Sequence, residues 1–288
     1  MERTSARRNA VALAAMLAAT GCSGLVQRAG GSLAEGVAEA AMRHDDPELV
    51  AAALPGYLIL ADAAVQAAPR DGDALVRAAR LYAAYAGALV RDPARRRRLS
   101  ERALGYARRA ACLRSGTGCT LRGEGLRAVL AGATAEDVEP LYALATAWLV
   151  WIEARREDWG ARAELAEAEL VLRRVAALAP DHDDGGVQLQ LGVLSALVPP
   201  ALGGDPEAAR RHFERALRLS GGKRLMVKVL MAEHLARAVG DRRLHDRLLR
   251  EVLAADPEAG RHTLENVLAR RRARALLEEA DRVFGDGG

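Results

Sequence analysis

The stretch GGDPEAARRHFERALRLSGG, residues 203–222, decides the fold of this chain. Glu207–Leu219 has the apolar spacing of a helix, and a pair of glycines lies on each side of it. Ala209, Phe213 and Ala216 succeed one another every three to four residues, in a small–large–small order that lets two helices pack closely. The stretch therefore predicts a helix that pairs tightly with a neighbour.

Similar segments recur along the chain and predict stacked helical hairpins. From Leu33 onward, helical patterns end at Gly, Pro or Asp-rich turns, and no alternating strand pattern occurs. The small–large–small order resembles the second helix of a tetratricopeptide (TPR) repeat. We therefore expect an all-α, TPR-like helical-hairpin superhelix, forming a single domain over residues 33–284, with a flexible tail at 285–288.

Composition and charge agree with this fold and exclude one class of partner. Only ten of the 288 residues are aromatic, whereas the strong helix formers Ala, Leu, Arg and Glu are abundant. The formal net charge is +4, and the part of the chain after residue 21 holds 39 basic and 37 acidic residues. A chain so close to neutrality lacks the basic footprint of a nucleic-acid-binding protein, so no nucleic-acid partner is expected.

Residues 1–21 have the layout of a bacterial lipoprotein signal peptide. Three arginines precede an apolar stretch at 11–18, which is too short to span a bilayer, and small residues follow at 19–21. In such signals the chain is cut before the next residue, which here is Cys22, and the thiol of that cysteine is diacylated.

This interpretation predicts lipidation at Cys22, a linker over residues 22–32 and a periplasmic, membrane-anchored protein. Ser23 after the cysteine favours the outer membrane. The alternative is a plain secreted protein that is cut nearby, in which Cys22 is incidental.

Cys112 and Cys119 flank a glycine-containing turn and form a candidate disulfide in an oxidising compartment. Two free thiols are the alternative, because a spacing of seven residues does not fix the distance between the Cβ atoms.

Three long stretches resemble one family, the TatT-type T-components of tripartite ATP-independent periplasmic (TRAP) transporters. They are LYALATAWLVWIEA (141–154), the stretch from Gly203 to Pro257, and LENVLARRRARALLEEADRVF (264–284). With the helix that carries Tyr82 and Tyr85, they cover most of the chain behind the leader.

The resemblance implies a TPR-like lipoprotein that assembles as a homotrimer, pairs with the periplasmic solute-binding P-component and carries out no reaction. It also implies a cavity for a hydrophobic small molecule, and no cofactor. The alternative is a generic TPR scaffold for protein–protein interaction in the cell envelope, which would offer a concave peptide groove in place of a closed cavity.

Two groups of residues are candidate contacts. Trp148 and Trp151 lie on one apolar helix face and, with Tyr85 and Met226, are candidate walls of a ligand cavity, with ordinary core packing as the alternative. Lys223, Arg224 and Lys228 follow a glycine pair at a predicted helix start, where positive side chains oppose the helix dipole unless an anion is near. They are therefore candidates for contact with a polar ligand or partner.

The remaining titratable residues give no sign of catalysis or of a metal site. The six histidines form no HExxH motif, and no GxSxG elbow or phosphate-binding glycine loop is present. The Asp-rich turn at 181–186 lacks the ligand spacing of a calcium loop and is expected to be a solvated loop. We therefore expect no bound metal and no enzymatic activity.

Overall fold

The computed structural model describes residues 36–37, 39–113, 118–197 and 204–285. Within these ranges every regular element is a helix and there is no strand, which confirms the all-α prediction. The chain divides into two compact units, residues 1–44 and 45–288, and the helices considered below belong to the second. The predicted signal peptide (1–21) and linker (22–32), with Cys22, lie outside the described residues, as does the predicted tail beyond Gly285. The TPR-like character of the hairpins stays a prediction.

The second unit is a succession of helices joined mostly by short turns. In chain order the α-helices are α1 (Pro47–Ala67), α2 (Gly72–Ala84), α3 (Pro93–Cys112), α4 (Gly123–Gly132), α5 (Val138–Glu153), α6 (Trp159–Ala163), α7 (Leu165–Leu178), α8 (His182–Ala196), α9 (Pro206–Leu219), α10 (Met226–Leu230), α11 (Arg242–Ala254), α12 (Thr263–Glu278) and α13 (Ala280–Phe284). Short π-helical segments, Tyr85–Leu89 and Met231–Ala236, extend α2 and α10, and a 3₁₀ turn, Ala135–Asp137, precedes α5.

Aspartate side chains determine where several of these helices begin. An aspartate before a helix accepts a hydrogen bond from a backbone N–H of the first turn, which has no partner within the helix. Asp92 accepts from the N–H of Arg95 at 2.7 Å before α3, and Asp205 accepts from that of Ala208 at 2.8 Å before α9. In both helices a proline follows the aspartate, at a position where its missing N–H costs nothing.

Helices pack side by side with the next helix along the chain or with the next but one. The main contacts join α2 with α3, α5 with both α3 and α7, α8 with α9, and α11 with α12. Alanines fill the α2–α3 contact, where Ala78, Ala79, Ala103 and Ala107 are fully buried. Because these side chains are small, the helix backbones can approach closely.

The contact between α8 and α9 rests on one aromatic ring packed against a glycine. Phe213 of α9 is fully buried, and a Cβ atom added to Gly192 of α8 would lie 3.1 Å from its ring. Ala209 and Ala216 are also fully buried on either side of Phe213, in the order that the sequence pattern predicts.

We expect the substitution Gly192→Leu to lower the free energy of unfolding by about 1–3 kcal/mol, which is the usual cost of overpacking a filled core. The new side chain would need space that the ring of Phe213 occupies. Urea unfolding followed by far-UV circular dichroism measures the loss.

Gly105→Leu is the matched control. Gly105 is exposed within α3, and a Cβ atom there meets nothing within 4 Å. Leucine is a better helix former than glycine, so this variant should keep the wild-type stability or gain up to about 1 kcal/mol. If both variants were as stable as the wild type, the close contact of Gly192 with Phe213 would be contradicted.

Candidate functional site

The turn into α8 has the most unusual backbone of the described residues. Asp183 and Asp184 adopt left-handed conformations, with φ of 55° and 49°, and Gly185 continues with φ of 83°. A left-handed non-glycine residue costs roughly 1–2 kcal/mol, so two in succession persist only where the surroundings stabilise them.

Asp183 is held by groups from two distant parts of the chain. The hydroxyl of Tyr142, in α5, donates to Oδ2 of Asp183 at 2.8 Å. Nη1 of Arg224 donates to the backbone carbonyl oxygen of Asp183 at 2.9 Å and to Oδ2 at 3.1 Å. Gly186 lies beneath these groups, since a Cβ atom there would come within 2.2 Å of Asp183 Oδ2 and 2.5 Å of the Tyr142 hydroxyl. Any side chain at position 186 would therefore break the arrangement.

Arg224 joins the turn to α12. Its Nε donates to the carboxylate of Glu265 at 2.9 Å, and only 13% of the Arg224 side chain is exposed. Burial disfavours the charged guanidinium, but the carboxylates of Glu265 and Asp183 outweigh it and raise the pKa of Arg224. Burial likewise opposes the charge on Asp183, yet Arg224 and the hydrogen bond from Tyr142 bring the pKa of Asp183 below its ordinary value. Both groups are therefore ionised at neutral pH.

A second set of contacts joins the same segments. Asp184 pairs with Arg261 at 2.6 Å and with Nε2 of His262 at 3.2 Å, just before α12 begins. At the end of the first turn of α12, the fully buried Asn266 accepts from the N–H of Leu225 and donates to two backbone carbonyls, those of Lys223 and Pro257. We call Tyr142, Asp183, Asp184, Arg224, His262, Glu265 and Asn266 the turn cluster.

The charged groups of the turn cluster are paired. The carboxylates of Asp183 and Glu265 are bonded to the guanidinium of Arg224, and Asp184 pairs with Arg261 and His262. Among the described residues, no three His, Cys, Asp or Glu side chains are placed to hold a metal ion. The geometry suits a clamp that fixes α5, α8 and α12 relative to one another.

The three cations predicted to contact a ligand or partner lie at or near this clamp. Arg224 is at its centre, whereas Lys228 pairs with Glu251 at 2.7 Å on a more exposed surface. The backbone carbonyl of Lys223 accepts from Asn266, and its side chain lies beside Gly260. The anions that offset the helix dipole at Arg224 and Lys228 are thus carboxylates of the same chain. Contact of these cations with a ligand or partner stays a prediction.

Each of the four candidate wall residues has its own set of contacts. Trp148 is fully buried, and its Nε1 donates to Glu164 at 2.6 Å. Nε1 of Trp151 donates to Glu101 at 2.6 Å, beneath the guanidinium of Arg155. Tyr85 is buried under Arg95, and Met226 packs against the core of the C-terminal helices.

Two surface cavities are lined by residues other than these four. The first, of about 410 Å³, lies between α4 and α5, and its lining includes Ala111, Cys119, Ala128, Val129, Pro140 and Leu141. The second, of about 430 Å³, lies beside α6 and α7, and its lining includes Arg122, Arg127, Glu164 and Leu170. A disulfide joins Cys119 to Cys112 with a Cα–Cα distance of 5.6 Å, so the first cavity has a cross-linked rim.

The sequence interpretation missed most of the turn cluster. The turn at 181–186 was expected to be solvated, but the Asp183 side chain is only 22% exposed, because Tyr142 and Arg224 cover it. The glycine pair after two aspartates was the available signal, since Asp and Gly are residues that tolerate left-handed backbone. Nothing near Glu265 or Asn266 in sequence indicated their roles.

We expect Arg224→Met to lower the free energy of unfolding by about 3–5 kcal/mol, because it leaves the carboxylates of Asp183 and Glu265 buried without a partner. Lys228→Met is the matched control from the same predicted group. Its ion pair with Glu251 is more exposed, so its loss should change stability by less than about 1 kcal/mol.

Urea unfolding of both variants measures the difference. A loss that is equally small in both would show that Arg224 is not the centre of a buried clamp.

Comparison with known proteins places the chain in a family. The family model described as TAtT, TRAP transporter T-component, matches residues 43–284. A protein of Treponema pallidum (strain Nichols), described only as uncharacterized, is 27% identical over 264 residues, which cover 84% of this chain and 82% of that protein. The family match spans most of the chain and agrees with the resemblance of the three long sequence stretches. The chain belongs to the TRAP transporter T-component family.

Proposed function

We propose that this chain is a lipid-anchored periplasmic T-component that assembles as a homotrimer, binds the solute-binding P-component of a TRAP system and holds a hydrophobic small molecule. The observation that carries the proposal is the family match over residues 43–284. Family membership supports association with a TRAP system. The anchor, the assembly, the partner and the ligand are the steps that we add.

The proposed anchor is the acylated Cys22, in the outer membrane. Two or three acyl chains on one residue give stable attachment, because each buried methylene contributes roughly 0.8 kcal/mol and a single chain binds only marginally. The helical unit would then remain at the membrane surface, where it can meet a soluble periplasmic partner.

The proposed role is binding without catalysis. Arg224 is paired with both Asp183 and Glu265 in the turn cluster, which supports a clamp more than a reactive site. The chain would act as a rigid helical platform whose outer surface docks the P-component.

The proposed ligand site is the cavity between α4 and α5. Its lining includes Ala111, Ala128, Val129 and Leu141, and a volume of about 410 Å³ falls within the range of small-molecule sites. The walls combine small apolar side chains with polar groups in equal measure, including those of Thr120 and Asp137. We propose that an amphipathic molecule with a hydrophobic part occupies it.

We expect the protein that begins at Ser23 to form a complex with its P-component, seen by native mass spectrometry as a trimer that takes up P-component as the latter is titrated. An unrelated periplasmic solute-binding protein is the control and should not bind. A T-component that ignores its P-component over the whole titration would contradict the transporter role and leave the envelope scaffold as the better account.

We expect Ala128→Trp to reduce the hydrophobic material that co-purifies with the protein about tenfold, because the indole would fill the cavity that Ala128 lines. Solvent extraction followed by mass spectrometry measures the bound material.

Ala131→Trp, one turn further along α4 at an exposed position outside the cavity lining, is the matched control and should retain the wild-type amount. Equal retention in the two variants would exclude this cavity as the site, and a wild-type protein without bound material would overturn the ligand proposal.

A further inference from the structure

Helix α1 exposes a continuous apolar stripe. Its inner side buries Val50, Leu54, Leu58 and Val65. Its outward positions, all exposed, are Leu49, Ala52, Ala53, Gly56, Ile59, Leu60, Ala63, Ala64 and Ala67. The stripe carries no charge and extends over 18 residue steps, or about 27 Å. Contiguous exposed apolar surface of this kind marks an interaction site.

The orientation of α1 is fixed by its two acidic residues. The carboxylate of Asp62 accepts from the hydroxyls of Tyr82 at 2.9 Å and Tyr106 at 2.7 Å, and it pairs with Arg102 at 2.8 Å. Glu48, at the start of the helix, pairs with Arg271 of α12. Both ends of α1 are therefore tied to the fold, and the helix cannot rotate to bury the stripe.

The stripe has the spacing of a coiled-coil seam. Leu49, Ala53, Gly56, Leu60, Ala63 and Ala67 succeed one another at intervals of four, three, four, three and four residues, which is the alternation that keeps one face of a helix against a partner helix. Leu49 and Leu60 are the large residues, 53% and 63% exposed, and the other four are small. Small residues let two helix backbones approach closely, with the leucines as knobs.

A helix fits this stripe better than a lipid surface does. Helix α1 is long and apolar enough to span a bilayer by composition, with a mean hydropathy of 1.6. Helices that lie on membranes, however, usually carry Lys and Arg along their polar face and bulky apolar residues opposite. Helix α1 contains no Lys or Arg, and most of its stripe is Ala or Gly.

We propose that the stripe of α1 packs against the α1 stripe of other copies of this chain, with the helices parallel. The inference rests on the proposed function, which supplies the homotrimer and the shared anchor. Only 24 residues separate Cys22 from Pro47, and parallel α1 helices place Pro47 of every copy at the same end of the assembly. Three parallel α1 helices about a common axis would bury the seam of each copy.

Gly56→Leu tests the seam, and Gly105→Leu is its matched control. A Cβ atom at either glycine meets nothing within 4 Å in the protomer, and both residues are exposed within helices. We expect sedimentation velocity of the protein that begins at Ser23 to show a trimer for the wild type and for Gly105→Leu. Gly56→Leu should weaken self-association about tenfold or more, with unchanged helicity by circular dichroism.

A cross-link tests the parallel arrangement. The test again uses the protein that begins at Ser23, which lacks Cys22. Because Cys112 and Cys119 are bonded to each other, Ala53→Cys introduces the thiol that can link copies. Parallel seams bring the two positions 53 together, so mild oxidation should give a covalent dimer from Ala53→Cys alone. A cross-link that forms only when Ala53→Cys is mixed with Ala63→Cys would indicate antiparallel helices and overturn the arrangement.

The outcomes separate this inference from the proposed function. A trimer that persists in Gly56→Leu, or a wild type that is monomeric, overturns the α1 interface whether or not the P-component binds. Trimers that dissociate with Gly56→Leu support the interface, even if P-component titration fails and the transporter proposal falls with it.

Discussion

The ion pairs of Arg224 are the interaction on which the arrangement of the helices in the second half of the chain depends. One guanidinium connects the start of α8, through Asp183, to α12, through Glu265, and Tyr142 brings α5 to the same point. Removing these charges from water is costly, so each must find its partners with good geometry. The left-handed backbone at Asp183 follows from this requirement, because it presents both the carbonyl oxygen and the carboxylate of one residue to the same side chain.

How much could be predicted from the sequence depended on whether the signal was local. Ala209, Phe213 and Ala216 lie within two turns of one helix, so their spacing predicted the tight contact that Phe213 makes with α8. At Arg224, a positive side chain near a helix start indicated that an anion must lie nearby. It could not indicate which one, because Asp183 and Glu265 are each 41 residues away along the chain.

Trp148 shows the same limit of sequence-based prediction, because its hydrogen-bond partner is not a neighbour in its own helix. The apolar face of α5 indicated that Trp148 would be buried or would line a cavity, and both fates look alike in sequence. What distinguishes them is the carboxylate of Glu164, in the turn between α6 and α7, which accepts from the indole N–H. A buried acidic residue in a short connecting segment leaves no periodic trace, so this partner could be found only from the three-dimensional structure.

The burial of Trp148 has an optical consequence. The chain contains three tryptophans, of which Trp148 is fully buried while Trp159 is 78% exposed. A dissolved quencher such as acrylamide therefore reaches the indole of Trp159 freely and that of Trp148 only when the helices around it separate. In the intrinsic fluorescence of the native chain, Trp159 therefore reports contact with the solvent and Trp148 reports opening of the core, with no label attached.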